Sequence, residues 1–546
     1  MTRQRDPAAF AAHARQEIRH AFEALRIFRR SRGIAVVHFA AVLEAEPIKA
    51  LFSTGEGAAT SNMAHRRVVE ASEFAVPGIY ERCPVGDCDI ASIDRQIYGE
   101  AKELFDFCYA YAQIDFSFKL ADRGQLQLFA ARRQSRLTFA YTDSSADTAE
   151  TALRGRELEM VFSGERLDLD VKKQLHIFTA LTEKMRHRVT REGDRCIYSW
   201  GSDEIDLIRA LAREMVKSVP HEMDQNAEVN GITFSQLRSY WGSLLALSNL
   251  HFMAHNLASN GSLPTWPFET AVLLKARREF VDQLSHVSEL PGQLVDTVTG
   301  WYVYDPRIAG RSVILQPFLP VTGELLCLPM LYVNGNNLER NFFKLLHRHP
   351  NLRPYAGAVE DMKEPTALRE LGQLFVEPVF KTKLRVIISG VTDIDLLVYE
   401  TASGFVLVIQ HKWLTPPETA EESSSNDAKL GEGVRQALRA RDAMRLNPEL
   451  VRKALGLSDS APVAPIEAVT VCRGFEQTGF VTPTAVPVVT EVSFERILRE
   501  AGGLEACWNA LNLRPDLERA KERVEDFDWH LRLAGFEFVM PGLMYG

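Results

Sequence analysis

Late in the sequence, four polar groups interrupt two otherwise apolar segments. The first segment is Gly390-Val-Thr-Asp393-Ile-Asp395-Leu-Leu-Val-Tyr-Glu400, and the second is Phe405-Val-Leu-Val-Ile-Gln410-His-Lys412-Trp413, with Thr-Ala-Ser-Gly between them. Side chains alternate along a strand, so Asp393 and Asp395 share one face of the first segment, and Gln410 and Lys412 share one face of the second. Pairing as a hairpin brings the four together. A carboxylate, an amide oxygen and an ammonium group gathered in this way suit a hard divalent cation next to a phosphate. Mg2+ takes oxygen ligands and completes its shell with water and phosphate oxygens, and it can then activate a water and neutralise phosphoryl charge. In this scheme Asp395 is the main metal ligand and Gln410 offers its amide oxygen. Lys412 holds or deprotonates the attacking water and does not bind the ion.

The surrounding elements must position these groups. Upstream, Pro365 to Glu377 reads as a helix with Leu368, Leu371 and Phe375 on its apolar face, ending near Pro378. Lys383 to Ser389 reads as a strand preceding the two segments. Downstream, Thr415 to Lys429 is polar and acidic and is expected to be a long loop leaving the lysine strand. Gly433 to Met444 follows as a short amphipathic helix, Ile466 to Cys472 as a strand, Val486 to Thr490 as a last strand, and Ser493 to Leu498 as a capped helix.

Asp395, fourteen intervening residues, then Gln410-His411-Lys412 with Trp413 after them, on two hydrophobic strands, resemble the PD-(D/E)xK nuclease superfamily in its variant with Gln in place of Glu. The resemblance implies a restriction-endonuclease-like α/β core with a central mixed sheet, ordered helix, three antiparallel strands, helix, strand. It implies Mg2+- or Mn2+-dependent hydrolysis of phosphodiester bonds, with DNA as the substrate most members cut and RNA the substrate of some. Such nucleases often aim a helix carboxylate at the metal, a role that falls to Glu370 or Glu377. Glu370 is preferred because it lies inside the expected helix. Asp395, Gln410 and Glu370 are thus the expected metal ligands, and with Lys412 the catalytic set. Many members carry a glutamine on the helix after the lysine strand, where Gln436 falls. Action in bacterial defence against foreign DNA is suggested by architecture alone. A non-catalytic nucleic-acid-binding or partner-binding module on the same fold is the alternative.

The chain of 546 residues has a net charge of −9 and a pI near 5.9, so contact with nucleic acid must come from local basic patches. Lys381, Lys383, Arg435, Gln436 and Arg439 are the candidates beside the motif, with Arg385 next to the first two. Arg340, Lys344, Arg348 and Arg353 recur at roughly helical spacing just upstream.

The whole is expected to be an α+β multidomain protein: a mainly helical region over 1–225, a helical and strand region over 226–354, the nuclease-like domain over 355–510, and a helical extension over 511–546. Ala8 to Arg32 reads as a helix followed by a strand-like Ile34 to Phe39, while Tyr98 to Ala121, Ile205 to Lys217 and Ser235 to Asn256 read as helices. Leu126 to Ala130 and Leu137 to Tyr141 read as paired strands. Seven thinly spread cysteines indicate a reduced environment. Neither Cys83 and Cys88 nor His251 and His255 has the further ligands of a metal site. The sequence shows no leader, no apolar run of the roughly 20 residues a membrane span needs, and no Gly-x-x-x-x-Gly-Lys phosphate loop. A cytoplasmic protein without a membrane contact is expected, with a protein partner or a second copy left open for the N-terminal region.

Overall fold

Seven consecutive buried residues, Ile394 to Glu400, and six more, Val406 to His411, mark two strands covered on both faces. They are the centre of a five-stranded sheet in the computed structural model, which describes residues 7–53, 57–86, 88, 92–145, 148, 151–152, 171–192, 195–218, 223–258, 272–309, 313–330, 333, 338–414, 420–473, 485–513 and 515–545. The strands are β1 (Phe380–Ile388), β2 (Thr392–Glu400), β3 (Val406–Trp413), β4 (Ile466–Arg473) and β5 (Val488–Thr490), adjacent in that order. The first three form an antiparallel meander, and β4 and β5 add in parallel.

A parallel addition needs a crossover, and α2 (Ala420–Leu446) lies between β3 and β4 in the chain. It packs Ala437, Ala440 and Met444 on Leu397, Tyr399, Val406 and Val408. The opposite face buries Leu396, Val398, Leu407 and Ile409 against Leu371 of α1 (Ala356–Gly372), Phe494 of α3 (Glu491–Ala501) and Leu504 of α4 (Leu504–Leu513). In the turn between β2 and β3, Gly404 has φ +77°, and a Cβ there would lie 2.9 Å from the Pro462 carbonyl oxygen. Only glycine meets both demands.

Several local expectations are corrected. α1 begins at Ala356, and Pro365 lies inside it; burial of Val359, Ala367 and Leu368 holds the helix together through the proline. Residues 420–429, expected as loop, form the first turns of α2, with Asn426 and Leu430 buried. Among the described side chains of this stretch Ser425, Ala428 and Lys429 are exposed and Asn426 is buried, and the helix is held by packing that its polar composition does not reveal. Ile34 to Phe39 belongs to the helix Arg32–Ser53, in which every residue from Ala35 to Ala45 is buried. A helix apolar all round loses the amphipathic period and reads like a strand.

Ahead of the sheet, the helices Arg32–Ser53, Gly57–Arg82 and Arg95–Asp122 form one core with Tyr304, Val313 and Leu319. A second core runs from Ile177 and Leu211 through Trp241 and Phe342 to Val359, so the boundary expected near residue 225 passes through packed interior. The extension over 511–546 is helical only as far as Lys521. Val524–Leu533 and Phe536–Tyr545 then form a hairpin. Ala534 and Gly535 both have positive φ, the signature of a two-residue hairpin turn, and Phe527, Trp529, Leu531 and Leu533 alternate as a strand requires. This hairpin joins the expected strand pair Leu126–Ala131 and Arg136–Tyr141 in a four-stranded sheet. The protein is therefore a mixed helical and sheet structure with five sheets among the described residues. None of its described helices is long and apolar enough to cross a membrane.

Candidate active site at the end of the lysine strand

Backbone pairing of β2 with β3 runs from Tyr399 opposite Val406 to Leu396 opposite Ile409. Asp395 and Gln410 are the next residues beyond that last pair. The Asp395 side chain closes the gap: its Oδ2 accepts the His411 backbone N–H at 2.7 Å, and the residue is 4% exposed. Gln410 is 1% exposed, and its Oε1 is buried without a hydrogen-bond partner. Directly across the parallel ladder stands Thr470, whose Oγ1 is in the same condition. Leaving a buried acceptor unmatched costs about 1–3 kcal/mol, so this pair of oxygens is a place where a cation or an ordered polar group is favoured.

Lys412, two residues on along β3, is half-buried and donates from Nζ to Gln436 Oε1 on α2 at 2.9 Å. Gln436 is the helix glutamine singled out in the sequence, and its contact with Lys412 goes beyond that reading. Gly433, three residues earlier on α2, lies against the same lysine and is given no site role in the sequence reading. A Cβ at Gly433 would lie 3.0 Å from Lys412 Cε and 3.1 Å from Cγ, close enough to press the lysine stem aside by a few tenths of an ångström. The signal available in the sequence is a glycine inside a helix, which costs stability and usually has a packing reason.

The neighbouring residue His411 faces a different set of partners. Its Nε2 lies 2.7 Å from Glu491 Oε1, and Arg473 Nε lies 3.2 Å from Glu491 Oε2. Arg473 also reaches Glu370 at 3.4 Å. Burial raises the Glu370 carboxyl above its ordinary value; Arg473 pulls it down, and nearby Glu491 pushes it further up. The structure therefore groups Glu370 with Arg473 and Glu491, and the helix carboxylate expected as a metal ligand is engaged by an arginine. Glu377 is exposed beyond the end of α1, and Asp393 is exposed opposite Ile387.

The expected substrate-binding residues divide in the same way. Arg435 and Arg439 are exposed on α2, and both pair with Glu432, at 2.8 and 3.2 Å. The hydrogen bond from Arg435 is the main reason the Glu432 carboxyl lies below its ordinary range. Lys381 and Lys383 stand on edge strand β1, opposite Tyr399 and Leu397. Where β3 ends, a cavity of about 440 Å3 is lined by Lys412, by Lys344 and Arg348 of the helix Leu338–Arg348, by Lys363 of α1 and by Lys429 of α2. Two of these belong to the basic stripe read upstream. Lys363 and Lys429 come from separate helices and have no signal in the sequence.

The donors at the centre, one carboxylate and one orphaned amide oxygen, are hard oxygen ligands of the kind Mg2+ and Mn2+ accept with water and substrate phosphate completing the shell. No group of three or more His, Cys, Asp or Glu residues suited to a metal is found among the described residues. His251 bonds Tyr198 at 3.1 Å, and burial pushes the His255 imidazole down to about 4, as packed core histidines. No family model, no curated protein and no solved structure matches this chain. The functional reading stands on the arrangement of its own side chains.

Proposed function

We propose that the protein is a metal-dependent nuclease of the restriction-endonuclease-like type that hydrolyses phosphodiester bonds in DNA. The observation that carries this reading is the placement of Asp395, the unmatched amide oxygen of Gln410, and Lys412 on neighbouring strands where the β2–β3 ladder ends. The order helix, three antiparallel strands, helix, strand around them supports it. Asp395, oriented by the His411 N–H, and Gln410 are the residues that would hold Mg2+ or Mn2+. That ion supplies water activation and charge neutralisation. Lys412, guided by Gln436 and given room by Gly433, is the group that handles the water's proton and meets the phosphate. The regions before residue 355 would bind a target or partner, and defence against foreign DNA suits such an arrangement.

Incubating the full chain with linear, circular and single-stranded DNA, and with RNA, across Mg2+ and Mn2+ tests the proposal. Cleavage that depends on the divalent ion is expected. No cleavage of any of these substrates with either metal would contradict it. A single carboxylate at the centre, with Glu370 turned to Arg473, favours a second reading as a non-catalytic nucleic-acid-binding module. That reading requires binding without cutting.

A further inference from the structure

The cavity at the end of β3 collects five cationic side chains, Lys344, Arg348, Lys363, Lys412 and Lys429, in a chain whose net charge is −9. Among the described residues, the carboxylate on its wall is Glu360, 3.1 Å from His347. Two of the lysines, Lys344 and Lys363, are buried. Lys363 Nζ lies 3.6 Å from the centre of the Phe343 ring and 5.6 Å from that of Trp413, within cation–π range of both. Ser425 and Asn426 add polar groups to the same wall. A recess in which cationic side chains outnumber carboxylates among the described residues attracts an anionic ligand.

The walls come from both sides of the expected domain boundary near residue 355. Lys344 and Arg348 stand on a helix whose Leu338, Phe342 and Leu345 belong to the core of the middle region, whereas Lys412 and Lys429 belong to the sheet domain. The two are joined at the cavity itself, where the Phe343 and Trp413 rings meet edge to face at 6.3 Å. A rigid, cationic recess that includes Lys412 is suited to the phosphate next along a strand from one handled at Lys412, because a nucleic-acid strand repeats its charge at every nucleotide.

We infer that this cavity binds a phosphate of the nucleic-acid strand, so that the middle region forms part of the substrate surface and does not serve only as a remote sensor. The inference deepens the nuclease reading and takes its substrate class from it. The test uses the full chain in EDTA and follows the anisotropy of a 3′-labelled single-stranded oligodeoxynucleotide across a salt series. Arg348→Gln with Lys429→Gln removes two cations that are not buried and so spares the fold. Lys344→Gln probes the buried wall, with thermal melting to verify folding. Arg435→Gln with Arg439→Gln makes the same charge change outside the cavity.

The cavity pair should weaken binding on the order of tenfold at about 0.1 M salt and reduce the salt slope by about 0.7, the share of the one single-strand phosphate that is no longer neutralised. The outside pair should change both by less. Binding by a circular oligonucleotide as tight as by a linear one assigns an internal phosphodiester to the cavity. Binding only to strands with a 5′-phosphate assigns a terminal one. The inference is overturned if the cavity pair changes binding no more than the outside pair, or if the wild-type protein binds no oligonucleotide. Cavity-dependent binding without cleavage in Mg2+ or Mn2+ would keep this site and remove the nuclease reading; cleavage with cavity-independent binding would do the reverse.

Discussion

Adjacent residues of β3 meet opposite electrostatic surroundings. His411 Nε2 begins a chain of opposite charges, through Glu491 and Arg473 to Glu370, although its Nδ1 and one Arg473 nitrogen are buried without a hydrogen-bond partner. Gln410 and Lys412 flank it, yet the first has an unmatched buried oxygen and the second opens on a cavity lined with cations. Charges that satisfy one another stabilise a fold and have little left to offer a ligand. A buried oxygen with no hydrogen-bond partner, beside a recess rich in cationic side chains, is better suited to a metal ion and a phosphate. Under the proposed function the His411 side has a structural role and the Gln410 and Lys412 side a chemical one, and this contrast can be broken by substitution.

The largest effect expected from breaking the comparison is on cleavage. Lys412→Ala should reduce turnover by roughly 10²- to 10⁴-fold, the range for loss of a proton-transfer group, with little change in melting temperature. Wild-type turnover in this variant would take Lys412 out of the chemistry. Gly433→Ala sharpens the point without touching a polar atom. Alanine favours a helix by about 1 kcal/mol over glycine, but its Cβ would press on the Lys412 stem. Cleavage should fall while stability stays within about 1 kcal/mol of wild type, as read by denaturant unfolding; unaltered cleavage would show that the close approach has no role.

On the other side the order reverses. Glu491→Gln should cost about 1.5–3 kcal/mol of stability, the worth of a hydrogen bond to a charged group, while leaving divalent-ion binding intact. Weakened ion binding with unchanged stability would reverse the roles of the two sides. The smallest effect belongs to Glu370. Its folded-state carboxyl is raised, so the folded protein retains a proton that the unfolded chain releases, and stability falls as pH rises from the ordinary glutamate value through the folded one. Glu370→Gln should remove that fall, leaving melting temperature slightly flatter across the mildly acidic range. The side chain is about half exposed, which keeps the change small. A steeper pH dependence in the variant would contradict the assigned direction.

Much of this site is legible along the chain because a polar residue on an apolar strand is anomalous wherever it occurs. Asp395, Gln410 and Lys412 are visible for that reason, and Gln436 because helical position follows from a short count. The orphaned state of Gln410 Oε1 is not, since it depends on what the neighbouring strand fails to supply. Glu370 looks suitable by position in the helix, but Arg473, more than 100 residues later, decides its role. The cavity is half legible: Lys344 and Arg348 share one helix, whereas Lys363 and Lys429 reach it only through tertiary packing. The longest misreadings of the fold arise where burial or polarity hides the period, as in the wholly buried helix from Arg32 and the polar start of α2.

The central claim is that Asp395 and the unmatched amide oxygen of Gln410 hold a divalent ion, and titration of Mn2+ into the folded variants measures it most directly. Asp395→Ala and Gln410→Leu should both weaken Mn2+ binding, Gln410→Glu should preserve or strengthen it by adding charge, and Lys412→Ala should largely retain it. Without metal, Gln410→Leu should also melt higher than wild type, because it removes a buried acceptor that has no partner. Undiminished Mn2+ binding in both Asp395→Ala and Gln410→Leu would contradict the account.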